Sequence, residues 1–195
     1  MTTMVANNNN FERDKARSSI AMVMTLVSFA MLFATLMLGY FAYRFTSEVW
    51  PPLGMQRASL GLPTISTVII LLSSLTYFLS EGAFLRGEKG SFKTYFFCTL
   101  SLGSAFMISQ VFLWKNLQIN GIYVDTTVFA SIIYAFTWVH AAHVVGGILA
   151  LLFLIPSVQG KRDEQRSEIW IKNVGQFWHF LGIVWVIIYF GIFVF

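Results

Sequence analysis

Five long apolar stretches, separated by short polar or charged segments, set the pattern of this chain. No charged residue interrupts 18–43, 58–80, 94–114, 126–160 or 173–195. Each stretch reaches the roughly 20 apolar residues that a helix needs to cross a hydrocarbon core of about 30 Å. Helices buried in soluble proteins rarely run so long without a charge. The pattern predicts an all-α integral membrane protein, a bundle of five transmembrane helices at about 19–45, 64–85, 92–117, 126–155 and 173–195. A polar tail over 1–18, with an asparagine tract at 7–10, precedes this single transmembrane domain.

Turn chemistry marks the boundaries. Tyr40, Tyr43 and Arg44 form an aromatic and basic border suited to the headgroup zone. Trp50-Pro51-Pro52 cannot continue a helix, and Gly61 and Pro63 predict a second turn before helix 2. Arg86-Gly87-Glu88-Lys89-Gly90 separates helices 2 and 3, and Asn120-Gly121 follows the third, which closes with Trp114 and Lys115. Pro156 and Gly160 are expected to end helix 4, which is long enough to require tilt or protrusion. The densely charged segment 161–172 is expected to lie outside the membrane, with helix 5 running from there to Phe195. The first apolar run exceeds a signal-peptide core and reads as a retained span.

Composition agrees with this class. Hydrophobic residues make up 56% and charged residues 11%, against about 25% charged in soluble domains, too few to coat a water-exposed surface. The net charge of +4 would suggest a nucleic-acid partner in a soluble protein; here its distribution reads as topology. With five spans, one side carries Arg13, Lys15, Arg17, Arg86, Lys89, Lys93, Lys161, Arg162, Arg166 and Lys172, and the other only Arg44, Arg57 and Lys115. In a bacterial inner membrane this asymmetry places the N-terminus in the cytoplasm and the C-terminus outside. The basic side also attracts anionic lipid headgroups weakly. The single cysteine, Cys98, falls within a span, has no disulfide partner and reads as a small apolar filler.

Ionisable residues within spans are costly and therefore candidates for function. His140 and His143 on helix 4, His179 on helix 5 and Glu81 near the end of helix 2 complete the inventory. Histidines at i and i+3 share a face and that spacing can bind a metal. A b-type haem would take axial ligands from opposing helices, for instance His140 and His179. The two differ in predicted depth, however, and no carboxylate is near in sequence to complete a mixed site. No central stretch of a helix holds Asp or Glu, so an autonomous proton pathway is not expected. Small residues such as Gly146-Gly147, Gly103-Ser104 and Ala141-Ala142 allow close helix approach.

Order and spacing then become specific. Helix 2 reads Leu62-Pro63-Thr64-Ile65-Ser66-Thr67, then Ser73-Ser74-Leu75-Thr76, Glu81 and Arg86-Gly87. Helix 3 has Gln110 four residues before Trp114, helix 4 has Thr137, His140, His143-Val144 and Gly146-Gly147, and helix 5 has Trp178-His179-Phe180 and Val184-Trp185. Over nearly the whole chain this resembles subunit III of the haem–copper (cytochrome c or quinol) oxidases, in its short five-helix form. Four family acids are replaced, by Phe29, Leu113, Lys172 and Gly182, so any role of those carboxylates in lipid binding or proton uptake does not carry over.

The resemblance implies a noncatalytic, cofactor-free subunit of a proton-translocating respiratory terminal oxidase in aerobic electron transport. Haem and copper would sit in subunit I, the direct packing partner, which in some members also supplies the two helices that the short form lacks. Other oxidase subunits and phospholipids would be further partners; the electron donor and a respiratory supercomplex stay open. No catalytic or metal residue is implied. His140, His143, Trp178, His179, Gln110, Glu81 and Arg86 are the implied lipid-binding or structural residues. Two alternatives stay open: an accessory subunit of nitric oxide reductase in the same family, and a membrane b-type cytochrome.

Overall fold

The structure is a computed structural model that describes residues 2–48 and 60–194. The turn expected at Trp50-Pro51-Pro52, the cation Arg57 and the terminal Phe195 lie outside the described residues. Five helices account for almost all of the rest: α1 (Thr2–Thr46), α2 (Gly61–Leu85), α3 (Lys89–Ile119), α4 (Val128–Val158) and α5 (Glu164–Ile188), the last continuing as a π-helical end, Tyr189–Val194. All five are long and apolar enough to cross a membrane, and the chain is a multi-pass membrane protein.

Local chemistry explains where the helices depart from the predicted spans. α1 extends upstream through the polar tail, where no glycine or proline breaks the backbone ladder before Gly39. Pro63 sits in the first turn of α2, where a missing N–H costs nothing. Pro156 does not end α4; it lies within the last turn, and the stop comes at Gly160, whose φ of +72° favours glycine. The amides of Gly160 and Lys161 donate back to the carbonyls of Ser157 and Pro156. α5 begins inside the charged segment, well before Asn173. Ser167, Ile171 and Val174 are buried at helical spacing within it, so its charges occupy one face of a helix.

Short connections make α2–α3, α3–α4 and α4–α5 antiparallel neighbours, and α5 also packs along α2. α1 lies along α4 and α5 and is the least buried of the five. It runs parallel to α5: Asn173 donates to Ser18 Oγ at 2.6 Å, and Lys15 approaches Glu168 at 3.9 Å. The core is unusually aromatic, with Tyr40, Tyr77, Phe96, Phe106, Tyr134, Phe136, Trp178 and Trp185 almost wholly enclosed. Val68, Phe78, Leu149 and Ile183 face outward, as lipid contact requires. Cys98 is exposed on that outer face and does not fill the core.

Candidate functional site

Lipid tails are as apolar as leucine, so apolar burial between helices gains little in a bilayer. Close packing and interhelical hydrogen bonds decide which faces meet. Along α2 and α5 these bonds form a ladder. The Tyr77 hydroxyl donates to the carbonyl of Ile171 at 2.7 Å. Ser74 Oγ pairs with His179 Nδ1, and Trp178 Nε1 donates to Ser73 Oγ at 3.1 Å. Trp185 Nε1 donates to Thr67 Oγ1 at 3.0 Å, and the hydroxyls of Thr64 and Tyr189 lie 2.8 Å apart. From Tyr77–Ile171 to Thr64–Tyr189 the α2 numbers fall while the α5 numbers rise, the register of antiparallel neighbours.

Trp178 is the centre of this seam. A β-carbon on Gly103 of α3 would come within 2.7 Å of its ring, and one on Gly147 of α4 within 3.0 Å. The indole thus fills a notch cut by two glycines, while its N–H reaches α2. One side chain of α5 joins three other helices. Ser73 is itself tied on, donating to the carbonyl of Thr99 at 3.1 Å. Gly175 makes a similar close approach lower on α5, where a β-carbon would lie 2.6 Å from the Tyr77 ring.

Trp185, two turns further along α5, encloses His140. The His140 imidazole lies 5.3 Å from the Trp185 ring, 5.8 Å from Phe106 and 6.2 Å from Phe33. It is fully buried, and neither ring nitrogen has a hydrogen-bond partner among the described residues. The Gln110 amide is buried in the same unpartnered way on α3. His143 faces α1 instead. Its Nδ1 donates to the Val139 carbonyl at 2.6 Å, and its ring meets Phe29 edge to face at 4.3 Å.

The expected site residues are therefore not one cluster. Trp178 and His179 belong to the α2–α5 seam, His140 to the aromatic cage beside it, and His143 to the α1 contact. Glu81 lies at the lower end of the seam, its Oε2 3.3 Å from where a Gly175 β-carbon would sit. Lys172 provides an opposing charge there. Arg86 is apart from all of these, exposed beyond the end of α2 and bonded through Nε to Glu88 at 2.8 Å. That bond holds the Glu88 carboxyl below its usual range and raises the Arg86 guanidinium.

Three of the four replaced acid positions lie in helix contacts or the core. Phe29 packs on His143, Leu113 is buried, and Gly182 lies against Ser74. His140 and His179 do not face each other across a common plane: His140 is level with Trp185, and His179 precedes Trp185 by six positions, about 9 Å along a helix axis. Among the described residues, no three His, Cys, Asp or Glu side chains converge. Thr67, Ser73, Ser74 and Trp185 belong to the sequence pattern but have no role legible in it, and Tyr77 and Gly175 lie outside that pattern. Hydroxyls spaced along an otherwise apolar α2, opposite tryptophans seven apart on α5, were the signal.

An apolar groove of about 270 Å³ runs between α1 and the α4–α5 pair, lined by Ala30, Ala34, Met37, Phe136 and Val184 among others.

Comparison with known proteins completes the picture. The family model described as cytochrome c oxidase subunit III matches residues 6–195. The cytochrome c oxidase subunit 3 of Synechocystis sp. is 27% identical over 168 residues, 86% of this chain and 71% of that protein. The cytochrome c oxidase subunit 3 of Thermostichus vulcanus is 28% identical over 171 residues, 87% of this chain and 83% of that protein. The probable cytochrome c oxidase subunit 3 of Nocardia farcinica is 28% identical over 169 residues, 86% and 83% of the two chains. With the motif residues of α2 and α5 joined in one seam and nearly the whole sequence matched, the chain belongs to the cytochrome c oxidase subunit III family.

Proposed function

We propose that this chain is a noncatalytic subunit of a respiratory haem–copper oxidase in a bacterial inner membrane. It packs against the catalytic subunit, which carries the haem and copper, and it sustains turnover. The basic asymmetry supports an orientation with the N-terminus in the cytoplasm and the C-terminus outside. In this reading residues 19–195 act as one transmembrane domain.

The observation that carries the reading is the use to which the motif side chains are put. Ser73, Ser74, Thr67, Trp178, His179 and Trp185 are bonded to one another across α2 and α5. Such residues stiffen a scaffold; they are not presented to a reactant. Trp178 and His179 are thus structural, as is His143 through its contact with α1. The buried, unpartnered His140 and Gln110 maintain the interior surface of the same scaffold. Glu81 and Arg86, near the basic end of α2, are placed to meet lipid headgroups or a neighbouring subunit. The groove beside α1 accepts a stretch of acyl chain, because its lining is almost entirely apolar.

Three of the four replaced carboxylates give way to packing residues or glycine, which favours neither an oxidase nor a nitric oxide reductase as the host complex. The relatives carry the oxidase name, and the oxidase reading is retained.

Deleting the chain and following oxygen consumption through many turnovers tests this proposal. An oxidase that starts at its normal rate and then inactivates early supports it. Normal activity and normal lifetime without the chain would contradict it.

A further inference from the structure

Where α2 turns into α3 and α4 into α5, a cavity of about 340 Å³ opens between the two connections. Lys89, Lys93 and Arg162 line it, with Glu164 as the one acidic residue among its walls. Three cations thus face one carboxylate. The Arg162 guanidinium is held over the Phe153 ring, 4.2 Å from its centroid, which restrains it while leaving its in-plane N–H groups for a ligand.

Two serines supply a second, independent observation. Ser157 and Ser167 both line this cavity, are only 6% and 2% exposed, and have hydroxyls with no hydrogen-bond partner among the described residues. Serines and threonines in apolar helices normally donate to the carbonyl four residues earlier. Here Ser66, Thr67 and Thr99 do so; Ser157 and Ser167 do not. A buried hydroxyl without a partner is unfavourable, and two such donors in a cationic cavity match an anion with several acceptor oxygens.

The first residues of α3 and α5 also line the cavity, and neither helix has a side-chain cap. The C-terminal ends of α2 and α4 lie at the same place and offset the helix dipoles, so the cations and hydroxyls must do the selecting.

We propose that this cavity binds a phosphate-bearing anion, with Lys89, Lys93 and Arg162 neutralising it and Ser157 and Ser167 donating to its oxygens. Its place at the end of the spans makes a phospholipid headgroup one source; dissolved inorganic phosphate is the other. The inference does not rest on the oxidase reading.

The full chain, purified in an uncharged detergent, is titrated calorimetrically with inorganic phosphate and separately with short-chain dihexanoyl phosphatidylglycerol. Saturable binding of either probe is expected. Lys93→Gln with Arg162→Gln should weaken it at least tenfold and Ser157→Ala severalfold, while Lys115→Gln at the opposite end of α3 leaves it unchanged. Binding of inorganic phosphate identifies a site open to the dissolved anion, and binding of the lipid alone identifies a headgroup site; both support the proposal. Ser157→Ala removes one atom, and its unfolding midpoint, read alongside, shows that the fold persists. No saturable binding of either probe overturns the proposal. So does a loss caused equally by Lys115→Gln, or one seen on charge removal but not with Ser157→Ala.

Discussion

A β-carbon at Gly103 would lie 2.7 Å from Trp178 Cη2, so α3 and the central tryptophan of α5 meet with no room for even a methyl group. Overpacking of this kind costs about 1–3 kcal/mol. Gly103→Ala is therefore expected to lower unfolding stability in mixed micelles by that amount. Trp178→Phe makes room but leaves Ser73 without its indole donor. The double variant should recover part of the loss from Gly103→Ala, because the two sites share one contact. Simple addition of the two losses would show that the notch does not hold the bundle.

Phe29 meets His143 edge to face at 4.3 Å in the otherwise sparse contact of α1 with α4. An aromatic pair contributes about 0.5–1.5 kcal/mol beyond its buried area. Phe29→Leu should lose that increment and selectively loosen α1. Hydrogen exchange provides the reading: faster exchange in α1, with the exchange of α2 and α5 unchanged.

His140 has two ring nitrogens and, among the described residues, no hydrogen-bond partner for either. Replacing an unsatisfied buried polar group by an apolar one of similar shape is close to neutral or stabilising. His140→Phe is expected to change the unfolding free energy by less than about 1 kcal/mol. A loss of several kcal/mol, of the order of 3 or more, would show that the imidazole makes a bond essential to the assembled protein.

The Arg86 bond lowers the Glu88 carboxyl from its usual range. A carboxyl lowered on folding adds stability above its unfolded pKa, and loses that contribution as pH falls through the lowered folded value. Both side chains are exposed, so the effect is small and screened by salt. The unfolding midpoint of the unaltered chain should fall slightly more between neutral and acid pH than that of Glu88→Gln. Parallel curves for the two proteins would refute the pairing.

Much of the architecture was legible because a bilayer imposes a length on every apolar run, and five runs met it. The start of α5 was hidden. The charges of 161–172 dominate that segment, and the buried face of Ser167 and Ile171 emerges only when its polar residues are read at helical spacing. The motif residues also stood out in the sequence, but not their partners. Trp178 meets Ser73 and Trp185 meets Thr67 only in one register of α5 against α2, and packing sets that register. Gly103 and Gly147 read as small residues suited to close approach, yet the indole that fills their notch comes from a third helix. The cavity serines were invisible for a related reason: a hydroxyl's lack of a partner is a property of the fold.

The central claim is that this bundle serves a catalytic neighbour and performs no redox chemistry alone. Its most direct test is purification of the tagged chain from native membranes in mild detergent. Peptide identification and an absorption spectrum are taken on the complex and on the chain after dissociation. The account predicts co-elution with a haem–copper catalytic subunit and no Soret band on the separated polypeptide. Haem or copper retained stoichiometrically by that lone polypeptide, or elution without any oxidase subunit, would contradict it.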